Sequence, residues 1–238
     1  MKLSIVIPTL NERDNIAKLL PLLETSGLPE YEVIVVDENS ADGTGQAVLD
    51  YAAQHPNCRL LTNDGPSGLS PCIVKGFAAA SGEWLSCMDG DLQHDPADLK
   101  NLLAHEAELD MVIGSRYCQG GGFAEKWSLK RILTSRIAAA MSRGWLGVKL
   151  SDPMSGFFMV RRTAFERERH LLNPRGFKIM LELYFVLHQC PNHYRCGETG
   201  IHFACRHYGQ SKLSTKVIGQ YLRQLWDLAW RRRTIRRG

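Results

Sequence analysis

Nowhere in this 238-residue chain do apolar residues run for the roughly 20 positions that a bilayer-spanning helix needs, so such a helix is excluded. The opening "MKLSIVIPTLNERDN" turns polar after ten residues, too short for the apolar segment of a secretory signal. Seven cysteines are an odd number with no framework spacing, so reduced thiols and a cytosolic location are expected rather than a disulfide scaffold. Internal repeats are lacking, and the terminal "RRRTIRRG" is the one low-complexity stretch. A net positive excess is lacking elsewhere: the formal net charge is +4, and setting aside the five arginines of the last eight residues leaves −1. No nucleic-acid module accompanies that basic tail. A glycine-rich phosphate loop is missing too, since "PTLNERDN" follows the first apolar run, which speaks against a nucleotidyltransferase.

The remaining composition, 44% hydrophobic and 23% charged, suits one main globular core. "LSIVIPTL" (3–10) and "YEVIVVDENS" (31–40) are β-branched runs ending in polar turns, and "NERDNIAKLLPLLETSG" between them has helical spacing. The rhythm continues with "TGQAVLDYAAQH" as helix, "CRLLTND" as strand and "LSPCIVKGFAAASG" as helix. "EWLSCMDGD" as strand, "PADLKNLLAHEAE" as helix and "LDMVIGSRY" as strand complete it. Strands alternating with helices predict an α/β fold, a mainly parallel central sheet flanked by helices on both faces.

In such sheets ligands sit at the carboxyl ends of the strands, where loops and helix N-termini converge. Two acidic turns fall on that rim: "VVDENSADGT" with Asp37, Glu38 and Asp42, and "CMDGDLQHDP" with Asp89, Asp91 and Asp95. An Asp-x-Asp turn presents hard oxygen donors of the kind Mg²⁺ or Mn²⁺ takes alongside substrate phosphates, and Gly90 keeps side-chain bulk out of the way. Taken alone the pattern is unspecific; a turn residue is the alternative reading of Asp89, and the ligand reading is preferred for Asp89 and Asp91. Asp95 before Pro96 reads as the cap of the next helix, with proline in the first helical position.

Taken in order, "SIVIPTLNERDNI", "VIVVDENSADGT", "GLSPCIVKGFAAASGEW", "MDGDLQHDP", "GSRY", "DPMSGFF", "NPRGFKI" and "FACRHYGQSKL" resemble family 2 glycosyltransferases of the GT-A fold. Within them the resemblance is to the dolichol-phosphate (polyprenol-phosphate) mannosyltransferases, and it spans about residues 3 to 225. It implies that Pro8, Leu10, Glu12, Val36 and Glu38 surround the base and ribose of a nucleotide-sugar. It places Asp89, Gly90, Asp91 and Gln93 at a metal (Mg²⁺ or Mn²⁺) and the diphosphate, with Asp91 and Gln93 as the most direct ligands. Arg116, Arg131, Arg206 and Lys212 would supply a cationic wall for donor and acceptor phosphates. Three positions depart from the family's pattern: Glu38 replaces an aspartate, Leu10 a tyrosine and Gly90 an alanine.

The implied reaction moves a hexose, mannose from GDP-mannose in the first reading, to a polyprenyl phosphate with inversion at the anomeric carbon. A lipid monophosphate is largely dianionic near neutral pH, its second pKa lying near about 6. It therefore needs no general base, whereas a sugar-hydroxyl acceptor would. Catalysis is then expected to be electrostatic: Asp89 and Asp91 at the metal, Arg116 and Arg206 on the phosphates, Arg131 at the incoming lipid phosphate. Asp152 remains an acid without a placed role. The alternative donors are UDP-glucose or UDP-N-acetylglucosamine, with a polyprenyl phosphate or a sugar hydroxyl as acceptor; a nonenzymatic membrane or zinc module is a remoter reading.

The domain expectation is a catalytic unit over 1–213 and a C-terminal amphipathic helix with an arginine tail over 214–238. In that helix Val217, Ile218, Tyr221, Leu222, Leu225, Trp226 and Ala229 recur at three and four, opposite Arg223, Gln224 and Asp227. Tryptophans beside an arginine cluster suit an anionic membrane interface, where a polyprenyl substrate would be met at the cytosolic face; a helix that caps the domain is the alternative. The segment with Trp127, Ile132, Leu133, Ile137 and Met141 carries the same two readings. A membrane-anchoring partner subunit would fit such surfaces. Cys190, His193, Cys196, His202, Cys205 and His207 crowd twenty residues, but their even spacing and the strand-like alternation of Ile201, Phe203 and Cys205 do not suit a tetrahedral zinc site.

Overall fold

The computed structural model describes residues 1–123, 129–174, 178–204 and 215–236, without the side chains of 129–131 and 215–217. Among them the elements run β1 (Leu3–Thr9), α1 (Arg13–Thr25), β2 (Tyr31–Asp37), α2 (Thr44–Ala52), β3 (Cys58–Thr62), α3 (Leu69–Ala79), β4 (Trp84–Cys87), α4 (Asp98–Leu103) and β5 (Met111–Ser115). There follow β6 (Gly122–Phe123), α5 (Leu129–Leu146), β7 (Phe158–Arg161), α6 (Arg162–Glu168), α7 (Ile179–Gln189), β8 (Cys196–Gly200), β9 (His202–Phe203) and α8 (Thr215–Ile235).

Seven strands form one sheet in the order β3-β2-β1-β4-β7-β5-β8, and β6 pairs with β9 in a separate ribbon. β7 is antiparallel to both β4 and β5, whereas the other pairings in the large sheet are parallel. The predicted mainly parallel sheet is therefore present, with one reversed strand inside it.

Strand alternation sorts the core into two layers, as a period of two requires. Leu3, Ile5, Ile7, Val33, Val35 and Met159 face α1, α2 and α4, where Ile16, Leu19, Leu20 and Leu23 recur at helical spacing. Val6, Ile34, Val36, Leu85, Ile113 and Phe158 face the other way, onto α3 and the apolar helix α7. Burial on both faces is why these runs are mostly apolar, and the polar residues inside them, such as Ser4, Glu32 and Ser86, are hydrogen-bonded. The ends of β1, β2, β4 and β5 and the start of antiparallel β7 all reach one rim, because β7 enters the sheet where its neighbours leave it.

Candidate active site

The turn after β4 carries the acids. Leu92 adopts a left-handed φ of 62°, an uncommon conformation for a residue with a branched side chain. It turns the backbone so that the Gln93 N–H donates to Asp91 Oδ1 at 3.1 Å. Asp91 is 5% exposed and Gln93 6%, while the Asp89 side chain remains 34% exposed. Gln93 Nε2 donates to the Ala204 carbonyl at 3.1 Å, which directs the amide oxygen away from that carbonyl. Two carboxylates and an amide oxygen on one turn are hard donors and fit Mg²⁺ or Mn²⁺.

His94, whose role the sequence left open, holds this turn in place. Its Nδ1 accepts the Asp89 N–H at 3.2 Å, and its ring stacks on Phe157 at 4.9 Å with Phe203 edge-on at 5.2 Å. Burial pushes its pKa below the ordinary histidine value against the opposing pull of Asp89 and Asp91. A neutral ring accepting at Nδ1 carries its proton on Nε2. Gly90 packs closely as well: a Cβ there would stand 3.3 Å from Ile7, Thr9 and Ile16. At Gly156, in the segment entering β7, a Cβ would lie 3.0 Å from Asp89 Oδ2, so the missing side chain leaves room for that carboxylate. Asp95 accepts the Ala97 N–H at 2.9 Å and starts the turn into α4.

The cations stand on the β5 and α7 side. Arg116, directly after β5, donates from Nε to Asp152 Oδ2 at 2.6 Å and from Nη2 to Oδ1 at 2.8 Å. Their side chains are 9% and 1% exposed. The guanidinium also lies 5.1 Å from the Phe203 ring. Burial alone would lower the Arg116 pKa, but its bonds and charge pairing with Asp152 raise it overall. Glu198 of β8 accepts the Ser151 and Asp152 N–H groups at 2.7 and 2.9 Å, fixing the loop that presents Asp152. Asp152 thus holds Arg116, a partnership 36 residues apart in sequence.

Lys178, at the start of α7, is a cation the sequence reading missed. Its Nζ donates to the Met154 carbonyl at 2.7 Å. Burial lowers its pKa, while Asp89 and Asp152 act to raise it and Arg116 to lower it. One rim therefore brings together Asp89, Asp152, Arg116 and Lys178. "NPRGFKI" carried no spacing cue for this lysine, and only the return of α7 to the rim reveals it.

On the nucleotide side, Pro8 of β1 lies opposite Val36 of β2. Val36 is fully buried beneath α3, so what it offers the rim is backbone rather than side chain. Leu10 and Glu12 are partly exposed on the turn after β1, and Glu12 Oε2 accepts the Asn15 side-chain N–H at 2.6 Å. Glu38 reaches across to the start of α3, where its Oε1 accepts the Gly68 N–H at 2.7 Å and the Ser67 hydroxyl. Asp37 accepts from Thr9 and Ser40, and Asp42, two residues before α2, accepts the N–H of its first residue, Thr44, at 3.0 Å; these two acids build the turn. The Arg131 side chain, Arg206 and Lys212 lie outside the described residues.

The C-terminal helix differs from the single apolar face expected. Tyr221, Leu225 and Leu228 join the core and Gln224 is 8% exposed, whereas Ile218, Leu222, Trp226 and Trp230 point outward at every fourth residue. Its arginines are not simply a solvated tail, for Arg231 bonds Glu182, Arg232 the Trp145 carbonyl and Arg236 the Gln189 side chain. Leu133, Ile137 and Trp145 of α5, the helix beside it, are exposed too. No helix among the described residues is long and apolar enough to cross a membrane. In the cysteine- and histidine-rich stretch, Ile201 and Phe203 are buried and His202 exposed, the alternation expected of a strand; Cys205 and His207 lie outside the description.

Residues 4–169 match the family described as glycosyl transferase family 2. The dolichol-phosphate mannosyltransferase of Saccharomyces cerevisiae is 38% identical over 232 residues, covering 94% of this chain and 86% of the relative. That of Mycosarcoma maydis is 34% identical over 233 residues, covering 94% and 78%. Among solved structures, glucosyl-3-phosphoglycerate synthase from Mycobacterium tuberculosis with Mn²⁺, uridine diphosphate and glucosyl-3-phosphoglycerate aligns at a TM-score of 0.67. It is 17% identical and covers 97% of this chain and 79% of that one; the same synthase is also known with Mg²⁺ and uridine diphosphate. At such identity the likeness concerns fold alone, and that fold is the GT-A arrangement expected from the sequence.

Proposed function

The chain belongs to glycosyl transferase family 2, and from that premise we propose that it transfers mannose from GDP-mannose to a polyprenyl phosphate with inversion. The observation that carries the reading is the meeting, on one rim, of an acidic Asp89-Gly90-Asp91 turn with the cations Arg116 and Lys178. A nucleotide-sugar donor leaves as a diphosphate, and such a rim suits an anion that arrives with a divalent ion and departs with more charge. Relatives at 34% and 38% identity named dolichol-phosphate mannosyltransferase support mannose and the lipid phosphate as substrates.

Asp89, Asp91 and Gln93 would hold Mg²⁺ or Mn²⁺, which when bound neutralises charge developing on the diphosphate oxygens. Arg116, oriented by Asp152, and Lys178 face the same oxygens. Arg206 and Lys212 complete the donor side by family resemblance, and Arg131 meets the acceptor phosphate. Pro8, Leu10, Glu12 and the Glu38 clasp border the base. Both Asp152 oxygens are engaged by Arg116, so this buried acid is already committed. That suits a phosphate nucleophile, which arrives deprotonated, better than a sugar hydroxyl, which needs a base.

The outward stripe Ile218-Leu222-Trp226-Trp230, with Leu133, Ile137 and Trp145 beside it, gives the enzyme a surface for the membrane that holds its acceptor. We place it peripherally at the cytosolic face, with residues 1–213 forming the catalytic unit and 214–238 a C-terminal helix and tail whose inner side packs on that unit and whose outer side faces the membrane. Offering GDP-mannose, UDP-glucose and UDP-N-acetylglucosamine, each radiolabelled, to vesicles containing polyprenyl phosphate tests the reading. Lipid-linked label from GDP-mannose is expected; label from a UDP-sugar instead would reassign the donor.

A further inference from the structure

The inner side of α8 does more than fill the core. Arg231, with its side chain 19% exposed, donates from Nη1 to Glu182 Oε1 at 3.2 Å and to Asp227 Oδ2 at 2.9 Å, and from Nη2 to the Leu171 carbonyl. Glu182 is 1% exposed, and its Oε1 also accepts the Asn173 N–H at 2.6 Å. About two turns earlier on α8, Gln224 Nε2 donates to the Lys178 carbonyl at 3.1 Å. The Leu171 carbonyl and the Asn173 amide lie at one end of the connection into α7, and Lys178 at the other. α8 thus grips both ends, directly or through Glu182, and Lys178 carries its ammonium to Met154, Asp89 and Asp152. Asn173 and Pro174 also wall a cavity of about 730 Å³ with Asn63, Gly65 and Pro66 of the turn after β3.

Other contacts hold the helix as well. Tyr221 donates to the Ala138 carbonyl at 2.8 Å, Arg232 bonds the Trp145 carbonyl, and Leu225, Leu228 and Ile235 are buried in the core. We propose that Arg231 and Gln224 are positioning residues of the active site: they fix the two ends of the connection that presents Lys178, and so set where its ammonium stands against Asp89 and Asp152. The C-terminal helix is then part of the catalytic assembly on its inner side, whatever its outer side meets. The kinetic consequence rests on the transferase reading above; the geometric consequence does not.

Three variants of the full chain test this: Arg231→Met, Gln224→Leu and the double variant Arg231→Met/Glu182→Gln. The double variant removes the buried carboxylate charge that Arg231→Met alone would strand, so it separates folding from positioning. Backbone amide exchange at 171–173 and 178–182, Tm, and kcat and KM for sugar transfer are read on each. Both single variants are expected to speed exchange at the end they release by roughly ten-fold, and to lower kcat roughly ten-fold or more. KM for the nucleotide-sugar is expected to change by less than about three-fold, a smaller effect than on kcat. The double variant should recover Tm to within about 2 °C of the parent without recovering kcat. Unchanged exchange in both single variants, or a kcat that returns together with Tm in the double variant, would overturn the proposal. Should the parent transfer no sugar, the transferase reading falls, and exchange alone still decides the clamp: faster exchange supports it, unchanged exchange refutes it.

Discussion

Replacing Asp152 by alanine isolates the interaction on which the cationic side of the site depends. The carboxylate accepts two guanidinium bonds from Arg116, at 2.6 and 2.8 Å, and its backbone N–H at 3.2 Å, between side chains 1% and 9% exposed. Truncation leaves a guanidinium out of water with its main partner gone, a change that costs about 3–5 kcal/mol in buried pairs. At about 2–4 °C per kcal/mol for a chain of this size, Tm should fall by about 6–20 °C, read by circular dichroism. Arg116→Met/Asp152→Leu replaces both charges by apolar groups and should regain much of that loss, while sugar transfer stays defective in single and double variants alike. A Tm within about 2 °C of the parent for Asp152→Ala, a loss of no more than about 0.5–1 kcal/mol, would refute the reasoning. So would a double variant no more stable than the single one.

Gly156→Ala should spare the fold but not the chemistry: its Cβ would lie 3.0 Å from Asp89 Oδ2, so transfer should fall roughly ten-fold through displacement of Asp89, with Tm nearly unchanged. Cys58 and Cys72 are pushed by burial up to about 11, so neither should react with a disulfide reagent at pH 8 until the protein unfolds. The sign is fixed by linkage: these thiols stay protonated in the fold while unfolded ones ionise near 9, so their contribution is present below pH 9 and is lost as pH rises through 11. Trp226→Ala/Trp230→Ala removes the most exposed part of the α8 stripe and should weaken flotation with anionic vesicles by about ten-fold or more; undiminished flotation would remove the membrane role from this face.

The parallel strands were legible because burial on both faces makes them mostly apolar, and the acids stood out because polar turns end such runs. β1 through β5 and the helices between them lie where the periodicity placed them, with boundaries shifted by a few residues. β7 was hidden: four residues long and antiparallel between two parallel neighbours, it inserts by tertiary pairing that no local pattern announces. Asp152 and Lys178 escaped for the same kind of reason, since each acquires meaning from a partner brought from another part of the chain. On α8 the helical period was clear, yet its apolar residues divide between the core and the surface. Gln224, which looked like part of a solvated side, faces inward instead. Arg231 joins it there through Glu182, a contact between helices that composition alone reads as a basic tail.

Transfer of radiolabelled mannose from GDP-mannose to polyprenyl phosphate in vesicles, measured with and without Mn²⁺ for the parent chain and for Asp91→Ala, tests the central claim most directly. The account predicts lipid-linked product from the parent only with the divalent ion, and a loss of at least about 100-fold in Asp91→Ala, the scale set by losing one electrostatic contact in a transition state. Absence of lipid-linked product from the parent under every condition, or undiminished transfer by Asp91→Ala, would contradict it.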